Sequence, residues 1–233
     1  MQRLVVLSVV AVLLTVAFSE GASSQLKFGV GVRTGMNFAS MSFDPEFFPN
    51  NPQIEQGGRT LFMAGAAAEL EFTKMLGAEL DLLYVGKGAK FTRTTDQASQ
   101  TIKLSELEIP ILFKAKFLTG NIRPYAFVGP SLGITLSASS VTEIPGQPVQ
   151  DIDLKSNPGG SQVGGMDFSL QFGGGAEYLI TPKFGVFMDV RYVLGLSNLY
   201  DDSAIQVVPG QQVVSQTWKT RGFMIQLGGM YHI

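Results

Sequence analysis

The chain has no cysteine among its 233 residues, so a disulfide framework and a lipid-modified N-terminal cysteine are both excluded. Histidine is nearly absent too: His232 is the only one, which leaves little material for acid–base catalysis. Charge is sparse at 15% of residues with a formal net charge of -2, so nothing electrostatic points to nucleic acid. Past residue 25 no apolar run reaches the ~20 residues that a spanning helix needs. What the chain has instead is 45% hydrophobic residues and 27 glycines without a Gly-X-Y period. That combination excludes collagen and suits a single domain of turns and tightly packed strands.

Residues 1–24 read as a cleavable signal peptide. Arg3 forms the charged start, Leu4 to Phe18 the apolar core, and Ala22, Ser23 and Ser24 the small residues before an expected cut at Gln25. The rest, 25–233, reads as one domain.

The stretch 167–196 sets the pattern for that domain. Phe168, Leu170, Phe172, Ala176 and Tyr178 share one face of a strand, while Asp167, Ser169, Gln171, Gly173, Gly175 and Glu177 share the other. After a turn at 180–183 the alternation resumes, with Phe184, Val186, Met188, Val190, Tyr192 and Leu194 opposite Gly185, Asp189, Arg191 and Gly195. Glycines on the charged face leave room for Arg191 and Glu177. The same alternation recurs at 27–38, 61–72, 76–84, 106–117, 125–136 and 223–233, giving eight segments. Their apolar-parity positions carry no charge, and Thr34 is the one clearly polar residue among them. Short connections near 73–75, 118–122 and 180–183 alternate with long ones near 39–60, 85–105, 137–165 and 197–220. This asymmetry predicts an all-β, eight-stranded antiparallel transmembrane β-barrel of the outer membrane, apolar side outward. Phe28, Phe72, Phe117, Tyr178, Phe184 and Tyr231 gather at the short-turn end as an interfacial aromatic girdle.

The opposite parity then faces the lumen. It carries Glu69, Glu71, Glu79, Asp81, Glu106, Glu108, Glu177 and Asp189 together with Arg33, Lys114, Lys116 and Arg191. Eight strands enclose only enough space for their own side chains, so these charges are expected to pair as an internal plug. Pro110 falls on the lumen parity, where a bulge or a water would satisfy the carbonyl left without a partner, and Pro130 on the lipid face. His232 is placed at the periplasmic end, facing inward. Asp151 with Asp153, and Asp201 with Asp202, lack the ligand spacing of a calcium loop and read as solvated loop charge. No catalytic residue, cofactor or metal site is expected.

Leu107 to Lys114 (LEIPILFK), Arg123 to Gly133 (RPYAFVGPSLG), Gly173 to Tyr178 (GGGAEY), Asp189 to Leu199 (DVRYVLGLSNL) and the opening Phe28 to Phe38 (FGVGVRTGMNF) resemble the outer membrane protein β-barrel domain family that includes PorT-like proteins. The resemblance spans most of the mature chain and implies an integral outer-membrane barrel. PorT-like members are implicated in a secretion system, but no residue here carries that role over. The C-terminus is similar to the signal read by the outer-membrane assembly machinery, with Gln226, Gly228, Tyr231 and Ile233 in the informative positions and isoleucine in place of the usual final phenylalanine.

Expected partners are therefore outer-membrane lipid, the assembly machinery, and an extracellular protein or glycan met by the long loops, where 205–214 suggests a hairpin about Pro209 and Gly210. A monomer is expected. Three function classes stay open: a structural or surface-interaction barrel, a narrow channel or secretion-associated barrel, and a soluble calycin-like lipid binder with its apolar face inward.

Overall fold

The computed structural model describes residues 26–44, 53–155, 163–200 and 216–233. The signal segment, the hairpin at 205–214 and the pair Asp201 and Asp202 lie outside the described residues. Ten strands follow in chain order: β1 (Lys27–Asp44), β2 (Ile54–Gly57), β3 (Arg59–Glu71), β4 (Leu76–Arg93), β5 (Ser99–Lys116), β6 (Ile122–Glu143), β7 (Gln150–Asp153), β8 (Met166–Thr181), β9 (Phe184–Gly195) and β10 (Thr217–His232). Eight close a ring of antiparallel pairs, in the order β1, β3, β4, β5, β6, β8, β9, β10 and back to β1. The short β2 and β7 pair with the outer halves of β4 and β6.

Register fixes the shape. Starting at Phe38, the cross-strand row runs through Phe223, Tyr192, Phe172, Val128, Phe113, Ala78 and Leu70, and returns to β1 at Phe28, ten residues from its start. A stagger of that size over eight strands tilts them by about 40°, taking ~3.3 Å per residue and ~4.8 Å between strands. Each residue then climbs about 2.5 Å along the barrel axis, and each step along the row drops about 3 Å. On this scale Phe28, Phe72, Phe117, Tyr178, Phe184 and Tyr231 lie within ~4 Å of one height. A second ring of exposed aromatics, Phe38, Phe62, Tyr84, Phe168 and Phe223, lies roughly 20–25 Å above it. That separation is the height of the apolar band of an outer-membrane barrel. Between the rings the exposed side chains are apolar, among them Val32, Met36, Leu80, Leu82, Ile111, Met188 and Leu227. With charge inside and an apolar surface outside, the soluble calycin-like alternative is set aside.

Two of the three short turns are closed by threonine. Thr73 Oγ1 accepts from the backbone N–H of Met75 and Leu76, and Thr181 Oγ1 from that of Lys183 and Phe184. Pro110 and Pro130 interrupt pairing without shifting register: Asp81 and Leu82 lose their β5 partners at Pro110 and Ile109, and Ile111 and Leu112 lose theirs at Pro130 and Gly129. Of the bulge or water expected at Pro110, the bulge is not there: the β5–β6 register shifts at Ser105/Glu106, where β6 carries the extra Leu136.

The long connections are shorter than expected because the strands continue past the upper aromatic ring. The span 85–105 is mostly paired strand, leaving a tight connection at 94–98 with Gln97 in the left-handed region at φ 59°. Above the ring the interior turns apolar: Met41, Phe43, Ala89, Phe91, Ile102, Leu104, Ala138, Leu154, Val163, Leu199 and Trp218 form one buried cluster. This outer cap has an ordinary hydrophobic core, stabilised by the water around it.

Candidate functional site

The lumen below that cap is a stack of charged tiers. Alternation points every second residue of each strand inward, so the tiers are assembled from residues far apart in sequence.

The tier near the short turns is built on two lysines from β5. Lys116 Nζ pairs with Glu69 Oε1 at 2.6 Å and with Glu71, while Lys114 Nζ bridges Glu69 Oε2 at 2.9 Å and Glu79 Oε2 at 3.0 Å. Glu177, from β8, lies 2.7 Å from His232 Nε2, so the chain's one histidine is occupied by an inward carboxylate. Gly185 opposite leaves the space that Glu177 needs, since a Cβ there would lie 2.6 Å from Glu177 Oε1.

Two arginines occupy the middle tier. Arg33 Nη2 donates to Glu79 Oε1 at 2.6 Å, and its Nη1 lies 3.3 Å from Asp81 Oδ2 and 3.3 Å from Gln226 Oε1. Arg191 Nη1 donates to Asp81 Oδ2 and to Gln171 Oε1, each at 3.0 Å. Three inward aromatics cover the cations: Arg33 lies 5.0 Å over the ring of Phe187, Arg191 5.0 Å over Phe127, and Lys114 4.1 Å over Tyr125. The Tyr125 hydroxyl donates to Asp189 Oδ2 at 3.1 Å.

The upper tier centres on Lys87. Its ammonium contacts Glu108 Oε1 at 2.6 Å, Glu106 Oε2 at 2.8 Å and Asp167 Oδ2 at 3.1 Å. Thr220 and Ser197 donate to the same Asp167 carboxylate, and Gln171 Nε2 donates to Glu108 Oε2. Gln171 thereby links the upper and middle tiers.

All twelve sequence-proposed lumen residues, Arg33, Glu69, Glu71, Glu79, Asp81, Glu106, Glu108, Lys114, Lys116, Glu177, Asp189 and Arg191, are buried in the barrel. Sequence reasoning misses Lys87, which lies in a span that reads as a long connection, and Asp167, although its parity is inward. With those two the interior holds five buried cations and nine buried acids among the described residues. Each cation touches at least two carboxylates, which offsets the cost of leaving water. The aromatics Tyr125, Phe127 and Phe187 were also missed. Their inward parity was readable, but aromatics next to apolar neighbours read equally well as lipid-facing.

The four C-terminal residues separate by face. Gln226 is buried beside Arg33, and Gly228 faces the Phe187 ring, whose Cζ would lie 2.4 Å from an added Cβ. Tyr231 and Ile233 are exposed on the outside. Gln226 and Gly228 therefore have packing reasons of their own.

No group of three or more His, Asp or Glu spaced to hold a metal occurs among the described residues. The geometry ties opposite charges together across the bore, and buried apolar side chains such as Leu83, Leu112, Val193 and Met224 pack between the tiers.

Comparison with known proteins places this architecture. Residues 18–201 match the family described as outer membrane protein beta-barrel domain; the match does not reach to the PorT-like subtype. No curated protein matches the chain. Among solved structures, the outer membrane protein OprG from Pseudomonas aeruginosa is similar at a TM-score of 0.50 and 13% identity, covering 89% of this chain and 95% of that one. A major outer membrane protein from Thermus thermophilus is similar at 0.50 and 15% identity, covering 90% and 100%. At these identities the likeness is one of fold.

Proposed function

We propose that this chain, which belongs to the outer membrane protein β-barrel domain family, is a non-catalytic and non-conducting outer-membrane barrel whose cap at the long-connection end meets an extracellular protein or glycan. The observation that carries the sealed lumen is the Lys87 hub, where one ammonium draws carboxylates from β5 and β8 across the bore beneath an apolar cap. Charges held this way in a bore of low effective dielectric do not exchange readily with passing ions. With the bore filled, the surfaces left for function are the lipid face and the cap. The cap offers two short strands, β2 and β7, each paired on one side among the described residues, with Glu55, Asp151 and Asp153 guarding those edges against indiscriminate pairing. Such a barrel works as a monomer, inserted by the assembly machinery through the outward Tyr231 and Ile233.

Planar-bilayer recording on the purified full-length protein tests the sealed lumen. The expected result is no steady unitary current, and large reproducible wild-type conductance would make the channel reading the leading one. Capture from surface-labelled cells, compared between wild type and a variant with 144–149 shortened to a two-residue turn, tests the cap. Capture unchanged by the shortening would remove the cap from the proposal.

A further inference from the structure

The outward face of the seam between β1 and β10 changes chemistry abruptly. From one rung below the upper aromatic ring outward its cross-strand pairs are Met36/Ile225, Phe38/Phe223, Ser40/Arg221, Ser42/Lys219 and Asp44/Thr217. The Phe38 and Phe223 rings lie 5.9 Å apart and belong to the upper aromatic ring. Directly above them stand two successive rungs, each combining a cation with a hydroxyl. Ser40 and Arg221 are exposed, and Ser42 and Lys219 are half-buried. On the other side of β10, Arg221 faces Leu194, and Leu196 beyond it is exposed. The nearest acid on this seam is Asp44, one rung above Lys219.

Cross-strand side chains start ~5 Å apart and the two rungs are about 7 Å apart along the strand, so they form one contiguous patch. On the axial scale the lower rung stands about 5 Å above the phenylalanines and the upper one ~5 Å higher. An acyl chain lying along Met36, Ile225, Phe38 and Phe223 thus ends at the Arg221/Ser40 rung. Arginine offers a phosphate two parallel N–H donors and the neighbouring hydroxyl adds a third. A glycerophosphate headgroup would fill that rung alone. A headgroup that also fills the Lys219/Ser42 rung must extend farther from the membrane and carry more acceptors, as a phosphorylated sugar does.

We propose that this seam binds a phosphorylated acyl-glycolipid of the outer leaflet, of the bisphosphorylated lipid A class, with phosphate at Arg221 and Ser40 and the sugar or a second phosphate at Lys219 and Ser42. The inference rests on the membrane orientation and not on the sealed lumen. Native mass spectrometry of the full-length protein in detergent, offered bisphosphorylated lipid A, monophosphorylated lipid A or phosphatidylglycerol, tests it. Wild type should retain bisphosphorylated lipid A at least tenfold better than phosphatidylglycerol, with the monophosphorylated form between them. Arg221→Ser with Lys219→Ser should reduce that retention about tenfold, and Lys27→Ser at the opposite rim should leave it unchanged. Should the double variant fail to reach the barrel, Ser40→Glu tests the same patch by adding an anion and should lower retention similarly. Equal retention of phosphatidylglycerol, or lipid A retention indifferent to these substitutions, overturns the proposal.

Discussion

Arg191→Met isolates what the charged lumen contributes. Methionine has nearly the length and volume of the arginine stem, so the substitution leaves little void beside Phe127 and chiefly removes the charge. In the native barrel Arg191 is wholly buried and donates to Asp81 and Gln171, and its Nη2 lies 3.8 Å from Glu79. Its loss leaves Arg33 as the one cation within reach of Asp81, so the middle tier holds excess negative charge away from water. Removing one partner of a buried pair typically costs about 3–5 kcal/mol, and the fall in unfolding free energy should lie in that range. The assay is equilibrium unfolding by guanidinium in phospholipid vesicles, followed by tryptophan fluorescence and by the mobility shift of unheated samples on gels. The double variant Arg191→Met with Asp81→Leu supplies the control, because it removes both charges and leaves Arg33 with Glu79. It should recover at least half of the loss, a coupling of roughly 1.5 kcal/mol or more. A single-variant loss below about 1 kcal/mol, or a double variant whose loss is the sum of the singles, would refute the packed, poorly solvated lumen.

Three further outcomes are expected. Lys87→Met leaves Glu106, Glu108 and Asp167 without their shared cation, so unfolding free energy should fall by roughly 3–5 kcal/mol in the same titration, and a loss under ~1 kcal/mol would show a hydrated upper tier. Gly228→Val drives a side chain into the Phe187 ring and the Val32 carbonyl at the β1–β10 seam; gels of outer-membrane fractions should show little folded barrel, and normal amounts would mean the seam has slack. Tyr231→Asp puts a charge at interfacial depth, a direct cost of about 1 kcal/mol or less, so a large fall in assembled barrel in cells with normal refolding in vitro would mark Tyr231 as part of an assembly signal.

Alternation in the membrane-spanning part was legible because the lipid face is uniform there and the charges keep to the other parity. Lipid tolerates no charge on one parity, and the bore accepts charge on the other only where partners are at hand. The register that brings Arg33 of β1 to Glu79 of β4, or Lys87 of β4 to Asp167 of β8, was not legible. Those distances follow from the ten-residue stagger, which is a property of the closed ring and of no single strand. Registers about the short turns are the exception: strands joined at 180–183 pair about that turn, which already puts Arg191 opposite or one step from Gln171, and the β8–β9 register, with Arg191 opposite Gly173, sets them one step apart.

The misread outer connections follow from a reversal that the sequence does contain. In β1 the apolar residues keep even numbers up to Phe38 and then turn odd at Met41 and Phe43, while Ser40 and Ser42 take over the even positions. β4 does the same, from Leu80, Leu82 and Tyr84 outward to Ala89 and Phe91 inward, with Lys90 and Thr92 outside. In β10 Phe223, Ile225 and Leu227 face out while Trp218 faces in. Read with a fixed parity, each reversal looks like the end of a strand, because an apolar residue appears on the charged face. Physically it marks the exit from the bilayer. Below the upper aromatic ring the solvent is hydrocarbon, so apolar side chains face out, and paired charges share the bore with small apolar clusters such as Met63, Leu83, Val85, Val193 and Met224. Above it the solvent is water, and the same uninterrupted strand turns its apolar side chains inward to make a hydrophobic core. Lys87 stands at that crossing, the last charged rung before the apolar cap, which is why a strand ended at the reversal omits it.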